Sequence, residues 1–383
     1  MESGTGRRSI SRVVARLGAA VTVIAGSLLV TTSAGADTAG HGYGYVWAND
    51  PASAIGVPYP PYTSYQANST GAQNTITRTS TGVYAVTFPG LGALGTATVS
   101  AYGGSNSCKI QNWVAVSGGT QLTVLCFTSA GAPVDSQFTA LYTYVATSPT
   151  PAGYVWNDRP SATLNRSVTP SLLYQFNSTG AHNTIVRTGT GQYNVRLPGI
   201  GHQKGDSWDV SLTAYGTPAG DPSAFCSGNG DLSTAADAII MVTCTTATGA
   251  AIDSSFALTY VESGSLLLAP AGAANPAAYT NVGCDHSGGS VGPGSCSIAA
   301  GFDTSPAADA TISVLGQGQY AINFAVPLDA GDVQITTWFT AGSPTSGRCK
   351  ILYWDSFDGV RVSCLDSNGA PPLTASFLIS FAV

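Results

Sequence analysis

The sequence predicts an all-β chain of three tandem antiparallel β-sandwich or jelly-roll-like units, each pinned by a disulfide. Three observations carry this. Segments recur at a fixed offset of 109 residues: Tyr45-Val46-Trp47 returns as Tyr154-Val155-Trp156, Asn68-Ser69-Thr70-Gly71-Ala72 as Asn177-Ser178-Thr179-Gly180-Ala181, and Thr81-Gly82-Val83-Tyr84 as Thr190-Gly191-Gln192-Tyr193. Repetition at that period marks tandem domains. Apolar residues alternate at period two in short runs, and no sustained helical period follows residue 36. Eight cysteines fall into pairs whose spacing follows the repeats.

The first element is a secretory signal over residues 1–36. Arg7, Arg8, Arg12 and Arg16 form its positive region, Leu17 to Val30 its apolar region, and Ala34-Gly35-Ala36 a small-residue cleavage site. The apolar run falls short of the ~20 residues of a membrane span. Arg7-Arg8-Ser9-Ile10 hints at twin-arginine export, with an incomplete hydrophobic pair, so the route stays open. The expected product is secreted after cleavage near Ala36, without membrane insertion.

Cleavage there leaves ten basic and nineteen acidic residues, a net charge of −9. That sign excludes nucleic acid and anionic membranes as partners. Charged residues make up 9% of the chain, against about 25% in ordinary soluble proteins. Solubility is therefore assigned to Ser, Thr, Asn and Gly on exposed strand faces and loops, and binding to neutral hydrogen bonds and aromatic contacts.

Unit 1 spans residues 37–146 and unit 2 residues 153–262, joined by a Pro-rich linker; unit 3 spans residues 266–383 and is divergent. In unit 1, Tyr84, Val86 and Phe88 share one strand face, and Thr98-Val99-Ser100-Ala101 and Leu122 to Cys126 alternate likewise. The offset to unit 2 grows to 113 at Tyr102/Tyr215 and 118 at Cys108/Cys226, across Gly/Pro/Ser-rich stretches where loops tolerate insertion. In unit 3, Gly318-Gln319-Tyr320 matches Gly191-Gln192-Tyr193, and Cys349-Lys350-Ile351 with Trp354 matches Cys108-Lys109-Ile110 with Trp113; unit 2 lacks this Lys and Trp. Seven or eight short strands per unit fit a sandwich or jelly roll.

Adjacent pairing gives Cys108–Cys126, Cys226–Cys244 and Cys349–Cys364, one staple per unit between neighbouring strands, with Cys284–Cys296 as a local bridge in a loop of unit 3. A zinc site on Cys284, Asp285, His286 and Cys296 is the alternative, but its spacing is not that of a zinc motif and export favours oxidation. No metal and no cofactor are expected.

The Gly-x-Tyr-x-Val/Ile run at Gly82, Gly191 and Gly318, followed by a late Gly, Asp and Phe, resembles C1q-like jelly-roll modules. Those assemble as trimers, so the resemblance implies that three units in one chain imitate that arrangement. The overall pattern also resembles uncharacterised β-repeat proteins secreted by high-GC Gram-positive bacteria, and the composition points to a bacterial source.

No constellation carries catalysis. Gly288-Gly289-Ser290-Val291-Gly292 fits a nucleophile elbow beside Asp285 and His286, but that elbow needs a strand-to-helix turn, and the run reads as a Gly/Ser loop. Arg78 and Arg187 match between units, as do Asp135 and Asp253. Unit 3 has Val314 and Leu373 near those positions, and joint loss of both partners is what a structural ion pair predicts. Trp47 and Trp156 read as core, and Asn49-Asp50-Pro51 and Asn157-Asp158 as turns. Asn229, Asp231, Ser233 and Asp237 superficially resemble a calcium loop but lack its Gly and bidentate Glu. Gln73 stands in unit 1 where His182 stands in unit 2, so that His has no shared role, and His41 and His202 read as isolated.

The function these readings favour is a secreted, non-enzymatic, multivalent binder of a glycan or cell-wall polymer, on a cell surface or in the environment. Repetition supplies avidity, and exposed aromatics, Trp113, Trp354, Tyr102 and Tyr215, are the ligand-binding candidates. A self-associating coat or matrix protein is the alternative, and a secreted hydrolase or inhibitor the third.

Overall fold

Period-two alternation produces strands that bury one face, as in Val83–Pro89, where Tyr84, Val86 and Phe88 are fully buried. The computed structural model describes residues 40–203, 206–219, 221–265, 277–285, 295–303, 310–339, 347–366, 368–372 and 374–383. The signal segment, the Gly288–Gly292 run with His286, and Leu373 lie outside them. The chain is all-β, three sandwich units with four disulfides.

Each unit contributes two antiparallel half-sheets. In unit 1 the first runs Gln66–Asn68, His41–Trp47, Gln137–Val145, Thr96–Tyr102, and the second Ser107–Val116, Gly119–Phe127, Val83–Pro89, Thr75–Ser80, Pro58–Tyr59. Unit 2 repeats this order. In unit 3, Ser295–Asp303 takes the edge place that Gln66–Asn68 holds in unit 1.

The half-sheets do not end at the unit boundary. The first half-sheet of unit 1 continues into the second of unit 3, that of unit 2 into unit 1, and that of unit 3 into unit 2, closing the units into a ring of three shared sheets. The joins are parallel, which departs from the all-antiparallel expectation: Tyr102 lies opposite Ile351, Tyr215 opposite Ile110 and Trp338 opposite Gly228. In each case the next residue closes the join with its amide, Gly103 to the Ile351 carbonyl, Gly216 to Ile110 and Phe339 to Gly228, at 2.8–2.9 Å. A β-bulge follows the join residue in all three outer strands, bending each strand there.

Every disulfide links directly facing residues of antiparallel neighbours. Cys284 and Cys296 are therefore not loop residues: they sit on the paired strands Ala277–Asp285 and Ser295–Asp303, and the bridge staples that hairpin.

Three strands, Thr96–Tyr102, Trp208–Tyr215 and Asp332–Trp338, pack on one another along the pseudo-threefold axis. Their polar faces point inward. Val99 N–H donates to Thr213 Oγ1 (3.0 Å), Leu212 N–H to Thr336 Oγ1 (2.9 Å) and Ile335 N–H to Ser100 Oγ (2.9 Å). These are equivalent positions in the three units, so the bonds form a closed cycle about the axis. It satisfies three buried amides that no neighbouring strand can reach.

Candidate functional site

The four predicted binding aromatics are not exposed. Trp113 is 5% and Trp354 6% exposed, and Tyr102 and Tyr215 are half-buried. The structure draws them into two equivalent clusters at unit junctions. Trp113 of unit 1 meets Trp156, Tyr174 and Tyr215 of unit 2, the last at 5.1 Å and nearly perpendicular. Trp354 of unit 3 meets Trp47, Tyr65 and Tyr102 of unit 1. Edge-to-face packing of this kind supplies large apolar burial with fixed geometry. The bulge after Ile110 and Ile351 turns each Trp into the junction. Sequence reading took these side chains as surface because a Trp on an alternating strand gives no sign of a neighbouring unit.

At the second cluster one ring remains open. Tyr62, 63% exposed, stacks on Trp47 at 6.1 Å and 26°. It precedes the short 3-10 turn Thr63–Tyr65, and the same place in unit 2 is held by Ser171, before Leu172–Tyr174.

Arg78 and Asp135 form a bidentate pair, Nε to Oδ1 at 2.9 Å and Nη2 to Oδ2 at 2.6 Å; Arg187 and Asp253 repeat it at 2.9 and 2.7 Å. Each Asp Oδ1 also accepts from a turn amide, Gly82 or Gly191, and from Tyr84 or Tyr193. Asp135 is held below the usual carboxylate range first by the Arg78 hydrogen bond; for Asp253, burial opposes the same lowering by Arg187. The glycines are required: φ is 69° and 65°, and a Cβ would fall 2.7 and 2.4 Å from the Cys126 and Cys244 carbonyls. These carboxylates serve the fold.

The repeated Asn motif is structural as well. Asn68 donates to Asn74 and to the Pro89 carbonyl, and Asn177 to Asn183 and Pro198, so both side chains are held by the protein.

His202 is not isolated. It is buried at the third junction, with Nδ1 2.9 Å from Tyr260 Oη and Nε2 2.7 Å from Asp231, and stacks on Trp208. Asp231 and Asp237 of the calcium-like run thus face protein partners, Asp237 pairing with Arg196. Among the described residues, no group of three or more His, Cys, Asp and Glu could hold a metal ion.

The two ends of the axis are opposite in charge. At one end a cavity of about 60 Å³ is lined by Thr96, Thr98, Asp209, Ser211, Asp332 and Gln334. Burial pushes Asp209 and Asp332 up to about 7. Gln334 bridges Asp332 and Thr139, and Asp332 Oδ1 has no partner among the described residues. At the other end a cavity of about 70 Å³ holds Lys109, Arg348 and Lys350. Both lysines are buried, at 3% and 4% exposure, and desolvation pushes them down to about 7 and about 8.

No protein-family model, curated protein sequence or solved structure matches the chain.

Proposed function

We propose that the protein is a secreted, non-enzymatic recognition protein that binds a neutral glycan or cell-wall polymer. The observation that carries this reading is Tyr62, an open ring face supported from behind by Trp47 and the buried cluster around Trp354. A ring held in place by other rings loses little entropy when a sugar stacks on it. The low charge of the chain favours a neutral ligand, whose binding depends little on salt. Four disulfides fit an oxidising compartment, and among the described residues no helix is long and apolar enough to cross a membrane.

The contact is expected at unit 1 and not at unit 2, because Ser171 replaces Tyr62 there. Retention on insoluble polysaccharides and purified cell walls tests this. Tyr62→Ala is expected to weaken retention about tenfold, the order of one aromatic stacking contact, with the melting point unchanged. Ser171→Ala serves as the silent control. Equal retention of Tyr62→Ala and the parent defeats the reading. A second reading, self-association into a coat or matrix, draws on Phe357, 94% exposed in the turn after Trp354. Concentration-dependent sedimentation that Phe357→Ser abolishes supports it.

A further inference from the structure

We propose that the basic end of the axis binds a small tetrahedral oxyanion, phosphate or sulfate, either free or carried as a terminal ester. Three cations converge on the one cavity there, from two units: Lys109 from unit 1, Arg348 and Lys350 from unit 3. The lysines are equivalent residues in Cys-Lys-Ile runs, and unit 2 has Ser227 at that place, so the third side is left without a cation.

The donors are under-used. Lys350 Nζ and Arg348 Nη2 have no hydrogen-bond partner among the described residues, and Lys350 is more than nine-tenths buried. Among the described residues Lys109 Nζ donates to the Pro222 carbonyl alone, at 3.2 Å, and Arg348 Nη1 to Ser107 Oγ, at 2.8 Å. Arg348 is further fixed over the Phe225 ring at 4.2 Å. A buried charge is costly unless an opposite charge meets it.

One nearby acid supplies part of that charge: Asp221 acts on Lys109 and Arg348 while accepting from Ser223 N–H, Ser223 Oγ and Ala247 N–H. Among the described residues no acid acts on Lys350, so one negative charge stands against three cations. Asp366 borders the adjoining cavity, where its Oδ1 accepts from the Asn368 and Ala370 amides. Two ammoniums and a guanidinium suit the several oxygens of a dianion, since charge-assisted bonds are the strong ones and guanidinium reads oxyanions with two donors.

Size and access agree. About 70 Å³ is several times the ~10–15 Å³ that one water requires, room for a five-atom oxyanion. A second cavity of about 20 Å³ shares Asn106, Arg348 and Lys350 with the first and is bordered by the exposed Ser105, Ser129 and Gly369. That side is the path from solvent.

The test is equilibrium dialysis of the purified protein against radiolabelled phosphate and sulfate at pH 7, with chloride holding ionic strength constant, paired with melting in the same buffers. One anion per chain and a melting point several degrees above that in chloride are expected, because a ligand of the folded state stabilises it. Lys350→Met is expected to bind at least tenfold more weakly and to melt higher than the parent in chloride, since it removes an uncompensated buried charge. Folding is thereby read separately from binding. Glucose 6-phosphate and glucose 6-sulfate distinguish the sources: competition with the free ion assigns an ester end group, and its absence assigns the free ion. Phosphate and sulfate that bind and stabilise no better than chloride, or a Lys350→Met protein that binds as the parent does, overturn the proposal.

Discussion

Two of the three unit junctions are built alike and the third is built by exchange. Where unit 1 meets unit 2, Ile110 faces Tyr215 and Trp113 fills the junction; where unit 3 meets unit 1, Ile351 faces Tyr102 and Trp354 fills it. Where unit 2 meets unit 3 the same backbone register holds Gly228 against Trp338, and Asp231, bound to His202, stands at the place of the Trp. A large ring facing a glycine replaces a medium ring facing an isoleucine. The parallel join is therefore the invariant feature, and side-chain volume is redistributed around it as close packing demands.

The largest effect expected from breaking this comparison lies in the two alike junctions. Trp113→Ala and Trp354→Ala each remove a buried indole touching three rings, and each should cost about 3–5 kcal/mol in urea unfolding. The two losses should be similar, because the clusters are equivalent. A Trp354 variant that unfolds like the parent would show that the second cluster does not hold its junction.

The next effect sharpens the exchange at the third junction. A Cβ on Gly228 would come within 2.0 Å of the Trp338 ring. Gly228→Ile should therefore destabilise by about 1–3 kcal/mol or more through overpacking. Adding Trp338→Tyr recreates the pair found at the other two junctions and should recover most of that loss. The double-mutant cycle reads this as a coupling of about 1–3 kcal/mol. Strict additivity of the two changes would mean that volume is not what the third junction exchanges.

Most of each unit was legible in the sequence, and little of what joins them was. Tyr84, Val86 and Phe88 at period two, the cysteine spacings and the matched Arg78/Asp135 and Arg187/Asp253 positions report contacts within one unit. Thr96, Thr98 and Ser100 carry the alternation of a half-exposed strand, and reading them as a solvated face follows from that pattern. They are buried because two further strands, more than a hundred residues away in sequence, cover them. Polar residues facing other polar residues leave no hydrophobic signature. The same reason hid Lys109 and Lys350: the Cys-Lys-Ile match was visible, but a lysine in a strand reads as exposed until its neighbouring unit is placed.

The last comparison concerns the acidic layer of the three axial strands, which departs from threefold likeness in charge. Unit 1 places Thr96 where units 2 and 3 place Asp209 and Asp332. Burial raises both carboxyls to about 7 from 3.8, so the folded chain keeps protons that the unfolded chain releases. Stability from this layer is then whole below pH 4 and is lost as pH rises toward and through about 7. The lysines at the other end run the opposite way: their folded values lie below the ordinary 10.5, so stability recovers as pH climbs from about 7 toward that value. Melting followed from pH 4.5 to 7.5 isolates the aspartates. The parent should melt on the order of ten degrees lower at pH 7.5 than at pH 4.5, since two carboxyls moved from 3.8 to about 7 each give up roughly 3 kcal/mol across that window, at about 2 °C for each kcal/mol in a chain of this size. Asp209→Asn with Asp332→Asn should flatten the slope and melt higher than the parent at pH 7.5. Either single change should remove part of it, and a double variant that keeps the parent's slope would place the titration elsewhere in the molecule.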